Sequence, residues 1–173
     1  MKLSHIITLS FLSTLAGIAF LSYEHEWIII RSPWNMSEHS STPGLSKQKI
    51  VFSYWCQHAW KEEAKELIIT DEPEKRVATI IANWLTMLHE EKIIKEKVVL
   101  ESALFDPANT RLYISFDQTP FGINQSTHEK WMFIQGLMRT LKENQIQLQG
   151  IYFLVNHAPL QDDQLDFTNP WPV

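Results

Sequence analysis

From residue 48 onward the chain alternates between two hydrophobic rhythms. "KIVFSYWC" (Lys49 to Cys56) is a run of β-branched and aromatic residues that predicts a strand, and "AKELIIT" (Ala64 to Thr70) predicts a second, short one. Asp71-Glu72-Pro73-Glu74 then offers an acidic N-cap, a following carboxylate and a proline in the first helical turn, where its missing N–H costs nothing. Val77, Ile80, Ile81, Trp84, Leu85 and Leu88 recur at three- and four-residue spacing and draw one apolar stripe as far as about His89. Val98 to Phe105 and Arg111 to Asp117 read as strands joined by a loop, Pro107-Ala108-Asn109-Thr110, of hairpin length. In the second of them Leu112, Ile114 and Phe116 share one face, and Tyr113, Ser115 and Asp117 the other. Ser126-Thr127-His128-Glu129 is a capping box. The helix it opens places Trp131, Ile134, Leu137, Met138 and Leu141 on one face, with Lys130, Arg139, Lys142 and Glu143 elsewhere. "QGIYFLVNH" is almost continuously apolar, as an interior strand is, and "LDFTNPWPV", with its two prolines, is irregular or extended. The expected fold class is α+β: two helices packed on a small mixed β-sheet, in the order β(β)-α-β-β-α-β.

The pattern before residue 48 is different. Lys2 precedes about eighteen uncharged residues, Ile6 to Tyr23, which as a helix span roughly 27 Å, enough to cross a membrane. Basic charge before the run and Glu24 and Glu26 after it place the N-terminus in the cytoplasm and the remainder outside. Gly17-Ile18-Ala19 is a candidate cleavage site, but the apolar run continues through Phe20 and Leu21, which favours an uncut signal anchor. "RSPWNMSEHSSTPGLSKQK" (Arg31 to Lys49) has no periodicity and reads as a tether. The division expected is therefore a membrane anchor or signal peptide over 1–26, a tether over 27–47, and one folded domain over 48–173.

Charge narrows the partners. Fifteen basic and twenty acidic residues leave a net charge of -5, so no basic field exists to gather phosphate backbones, and nucleic acid is excluded as a partner. The single cysteine, Cys56, lies in an apolar run and reads as a buried thiol. Asn35-Met36-Ser37 and Asn124-Gln125-Ser126 match the glycosylation acceptor pattern, which matters only in a eukaryotic secretory pathway.

Candidate chemistry is sparse. Asp106 and Asp117 flank a strand and lie roughly 30 Å apart at 3.3 Å per residue, whereas paired carboxylates that work together sit within about 10 Å. They read as a turn residue and a strand end. The seven histidines, His5, His25, His39, His58, His89, His128 and His157, never fall three or four apart, so no helical metal pair is expected and no metal site is assigned. No glycine-rich phosphate loop, dinucleotide fingerprint or nucleophile elbow occurs, so neither cofactor nor catalytic residue is assigned. The enzymatic alternative is an envelope hydrolase whose triad assembles in space from Ser115, His128 or His157, and Asp166. "HEEKIIKEKV" (His89 to Val98) reads as a solvated helix end. Trp55 and Trp60 are either an exposed aromatic anchor or a cap on the core, with the apolar flanks favouring the core.

The order helix, hairpin, helix, strand, with "LYISFDQTPF", "LMRTLKEN", "IYFLVNHAPL" and a closing "LDFTNP", resembles the GerMN domain of bacterial sporulation and spore-germination proteins over roughly residues 48 to 171. That family's strand pattern of hydrophobic-Asp-hydrophobic-Ser before a phenylalanine is approximated by Tyr113 to Phe121, with the aspartate displaced to Asp117. Its Thr-Leu pair is matched by Thr140-Leu141, its Val-Asp-Gly turn is here Val155-Asn156-His157, and its Leu-Gly-Pro segment is replaced by "LHEEKIIKEK". The resemblance implies a non-catalytic domain held outside the cytoplasmic membrane. It implies self-association or binding of a protein partner, with the cell wall a further candidate, while membrane contact through residues 6–23 follows from the apolar run itself.

Overall fold

The computed structural model describes residues 45–106, 108, 110–122 and 125–173. The expected membrane segment and most of the tether lie outside them, as do both glycosylation-motif asparagines. No helix among the described residues is long and apolar enough to cross a membrane.

The described chain opens with β1 (Ser46–Cys56) and β2 (Ala59–Ile69), an antiparallel hairpin in which Trp55 faces Trp60 and Cys56 faces Ala59. Its two turn residues, Gln57 and His58, have φ of 53° and 62°, the paired left-handed conformation of a tight hairpin turn whose twist matches the strands. β2 thus begins five residues earlier than its composition suggests, because the turn fixes the register and carries Lys61, Glu62 and Glu63 into the ladder. These charges suit an outer strand, where they discourage edge-to-edge pairing.

Next come α1 (Pro73–Glu90), β3 (Leu100–Phe105), β4 (Arg111–Phe116), α2 (Thr127–Glu143), β5 (Gly150–Val155), β6 (Ala158–Pro159) and β7 (Trp171–Pro172). The larger sheet runs β3-β4-β5-β6, with β7 also on β5. It is mixed as expected: β3 and β4 are antiparallel, β4 and β5 parallel, and β6 and β7 antiparallel to β5. Leu112, Ile114, Phe116, Ile151 and Phe153 on β4 and β5 are buried on the helix side, together with the whole predicted stripe of α1. The connection from β5 to β6 is a second tight turn, with Asn156 and His157 at φ of 49° and 61°. The glycine of the GerMN pattern is dispensable here because asparagine and histidine are among the side chains that most readily accept that conformation.

The hairpin does not join the larger sheet. The free edge of β1 is occupied by α2: the Asn144 side chain, just past the helix end, accepts from the Val51 N–H at 3.1 Å and donates to the Val51 carbonyl at 2.8 Å. One turn earlier the Thr140 hydroxyl accepts from the Ser53 N–H at 2.9 Å. The Ser53 carbonyl takes the Trp84 indole N–H at 2.9 Å and the Thr140 hydroxyl at 3.3 Å. Gly136, a further turn back, allows this approach, since a Cβ there would lie 3.2 Å from the Ser53 oxygen and 3.3 Å from the Trp84 ring. Side chains of two helices satisfy the backbone groups that a neighbouring strand would otherwise pair.

The expected stripe of α2 is buried at Ile134, Leu137, Met138 and Leu141 and departs only at its first member. Trp131 is 41% exposed and rests edge-on against Trp171, with ring centroids 5.2 Å apart. Phe133 takes the core position instead, and Lys130 is 6% exposed and ion-paired to Asp162. Hydropathy could not place Trp131 outside or Lys130 inside, because both depend on the C-terminal segment that wraps over the first turns of α2. The capping box forms as expected: Ser126 accepts from the Glu129 N–H at 3.3 Å, and the Glu129 carboxylate accepts from the Ser126 N–H at 2.8 Å.

Candidate functional site

A cavity of about 450 Å³ opens where the tip of the β1–β2 hairpin meets the end of α1 and the start of α2. Each element reaches it for a local reason. The tight turn at Gln57 and His58 brings Tyr54, Trp55 and Cys56 to its mouth. Past α1 the chain reverses at Lys92, φ 58°, with the Ile93 and Ile94 N–H groups both donating to the Leu88 carbonyl. The capping box directs the first turn of α2 toward the cavity, presenting His128, Glu129 and Met132. Trp84, Leu88, Ile94 and Phe133 make an apolar floor continuous with the core. "HEEKIIKEKV" is therefore solvated only in part: Ile94 is buried and Ile93 packs against the core.

Trp55 and Trp60 are half-buried, not core. Their rings meet edge to face at 5.4 Å, Trp55 meets His128 at 6.1 Å, and the Arg139 guanidinium lies 3.9 Å from the centre of Trp60. Trp55 and His128 form an aromatic wall on the hairpin side of the cavity, and Trp60 and Arg139 lie outside its lining. Burial, then the negative charges of Glu91 and Glu63, push the Tyr54 hydroxyl above its ordinary value, so it stays protonated at neutral pH. The Ser126 N–H and hydroxyl hold the Glu129 carboxyl below its ordinary value, so it is ionised. The rim therefore offers a phenol, imidazoles and carboxylates around an apolar floor, a combination that holds and orients a ligand. Cys56 is half-buried at this rim.

Of the residues proposed for a spatial triad, Ser115 and His157 lie together, while His128 and Asp166 lie elsewhere. Ser115 is fully buried on β4, on the sheet side away from the helices, where its hydroxyl donates to Glu101 at 2.8 Å and accepts from the His157 backbone N–H at 2.9 Å. The His157 imidazole is 3.8 Å from the same carboxylate and makes no hydrogen bond to Ser115. His128 belongs to the cavity rim, and Asp166 accepts from the N–H and hydroxyl of Thr168 in a local turn. Glu101 went unnoticed in the sequence because it occupies an irregularity in β3 between Leu100 and Ser102, which strand alternation does not reveal.

Asp106 and Asp117 are local structural groups. Asp106 accepts from the Thr110 and Arg111 N–H groups, and the Arg111 N–H first among these contacts holds its carboxyl below its usual value. Asp117 accepts from the Val99 N–H at 2.8 Å at the other end of β4. No group of three histidine, cysteine, aspartate or glutamate side chains among the described residues is placed to hold a metal ion.

The fold and cavity define an α+β domain with an aromatic-walled cleft at one end. No family model matches the chain, and no curated protein does. Among solved structures it is similar to a Clostridium perfringens protein provisionally described as a lipoprotein, at 16% identity and a TM-score of 0.45, over 75% of this chain and 88% of that one. The likeness is one of outline and carries no function with it.

Proposed function

We propose that the chain is a non-catalytic, membrane-anchored extracytoplasmic domain of the GerMN type, which works by association with an envelope partner. The observation that carries this reading is the cleft: an apolar floor with the half-buried Trp55 at its side, bordered by groups suited to holding and orienting. The Ser115 hydroxyl supports it further, since its proton is directed to Glu101 and the group is closed to solvent. The apolar run at residues 6–23 and the charges around it support the location.

Co-sedimentation of the full-length chain with envelope fragments of the host tests the reading. Trp55→Ala should weaken retention about tenfold or more, as removal of a central aromatic anchor does. Ser115→Ala and His157→Gln should leave both retention and cellular function in place. Loss of cellular function in either of these two, with the chain folded and retained as before, would establish the hydrolase reading instead. Retention insensitive to Trp55 would remove the cleft from the proposal.

A further inference from the structure

We infer that the outer face of the five-stranded sheet is an interface to a second copy of this chain, an inference that rests on the association reading and names one surface that serves it. The helices bury one side of this sheet. On the other, register sets Leu104, Tyr113 and Tyr152 side by side on β3, β4 and β5. The two tyrosine rings stack 4.6 Å apart at 10°, Leu104 is 51% exposed, and Leu154 continues the apolar surface. No described element covers this row. An ordered, partly exposed apolar ladder marks an interaction surface.

Charge selects the occupant. Along the strands the row is flanked at one end by Arg111, exposed and without an ion pair among the described residues, and at the other by Glu101. Two copies packed face to face about an axis perpendicular to the strands, passing through the tyrosine row, bring each Arg111 over Glu101 of the other copy. Both pairs form at once, as a self-complementary interface requires. An axis along the strands sets Arg111 against Arg111 and Glu101 against Glu101, so the charges permit one arrangement and oppose the other. The footprint is roughly 20 by 20 Å, from strand length and spacing. That is smaller than a standard stable interface of about 800 Å² per partner, so the dimer is weak and depends on concentration.

Sedimentation equilibrium of the full-length chain in non-ionic detergent, over a dilution series, tests this. The native chain should pass from monomer to dimer within the micromolar range. Arg111→Glu and Glu101→Lys should each raise the dissociation constant about tenfold or more, and the two together should restore it to near the native value. Leu104→Glu should leave only monomer. Should Glu101→Lys unfold the chain by releasing Ser115, Arg111→Glu and Leu104→Glu decide alone, since both side chains are exposed. A native chain that is monomeric up to about 100 µM, or a dimer indifferent to Arg111→Glu and Leu104→Glu, overturns the inference. Native envelope retention in that case leaves the association reading standing, and loss of both removes both.

Discussion

The two helices have almost the same length, 18 residues in α1 and 17 in α2, yet they bury different chemistry. The buried residues of α1 are Val77, Ile80, Ile81, Trp84, Leu85, Met87 and Leu88, apolar apart from the Trp84 indole N–H. Those of α2 include Lys130, Gly136 and Thr140 among the hydrophobic residues. The difference follows from what each helix meets. A helix lying on apolar side chains removes surface from water and needs only hydrophobic groups. A helix lying along a strand edge meets unpaired N–H and C=O groups, which are costly to bury unless something pairs with them. α2 has both duties. It fills the core through Phe133, Ile134, Leu137 and Leu141, and it seals β1 through Thr140 and the adjacent Asn144.

The ion pair at the start of α2 offers the harshest test of this contrast. The side chains of Lys130 and Asp162 are 7% and 10% exposed, and Asp162 also accepts from the N–H groups of Gln164 and Leu165. Lys130→Ala leaves a buried carboxylate without its cation and should cost about 3–5 kcal/mol in a denaturant series, whereas Lys130→Met with Asp162→Leu should cost far less. Acid sharpens the result. Burial raises the Asp162 carboxyl, but the Lys130 hydrogen bond, the two N–H groups and the lysine charge outweigh it, so its value is lowered on folding. A lowered carboxyl contributes stability that is complete above its unfolded value and is lost as pH falls through the folded one. The native chain should therefore lose more stability below about pH 4 than the double variant does. Equal losses would show that the pair does not govern the acid response.

How much of this was legible in the sequence follows the same division. The stripe of α1, the β3–β4 hairpin, the capping box and the central place of β5 all arise from local periodicity or local hydrogen bonding, and all are present. Lys130 inside, Trp131 outside and the separation of the β1–β2 hairpin depend on contacts between residues far apart in the chain. Asn144 and Val51, for example, are separated by 93 positions. The cleft is hidden for the same reason. Its wall comes from Trp55 on a hairpin whose turn carries no glycine and from His128 on α2, and its floor from both helices and Ile94 beyond the first, so no single segment announces it.

Thr140→Val is a smaller perturbation with a sign opposite to hydrophobic intuition. The two side chains have nearly the same shape, and the site is fully buried, so a gain in apolar character would stabilise a position like those on α1. On α2 the change leaves the Ser53 N–H without its acceptor, while the Ser53 carbonyl keeps the Trp84 indole. A net loss of about 1–3 kcal/mol is expected, from urea unfolding followed by tryptophan fluorescence. A neutral or stabilising result would mean that the β1 edge finds other partners and that α2 is not its seal.

Trp131→Ala should have the smallest effect of the three, although the spacing of apolar residues along α2 places that tryptophan on the core stripe. The residue is 41% exposed, and its ring meets Trp171 in an edge-to-face contact. Truncating a buried tryptophan costs about 3–5 kcal/mol because a cavity is left behind, but a surface ring leaves none. The loss is limited to partial apolar burial and one aromatic contact, about 1 kcal/mol together. That equals the expected cost of Ser126→Ala at the cap of the same helix, where one N–H loses its acceptor. Measured side by side, the two variants should unfold at nearly the same denaturant concentration. If Trp131→Ala instead falls several kcal/mol below Ser126→Ala, the first turn of α2 sits as simple periodicity assigns, and the buried places of Lys130 and Phe133 would have to be given up with it.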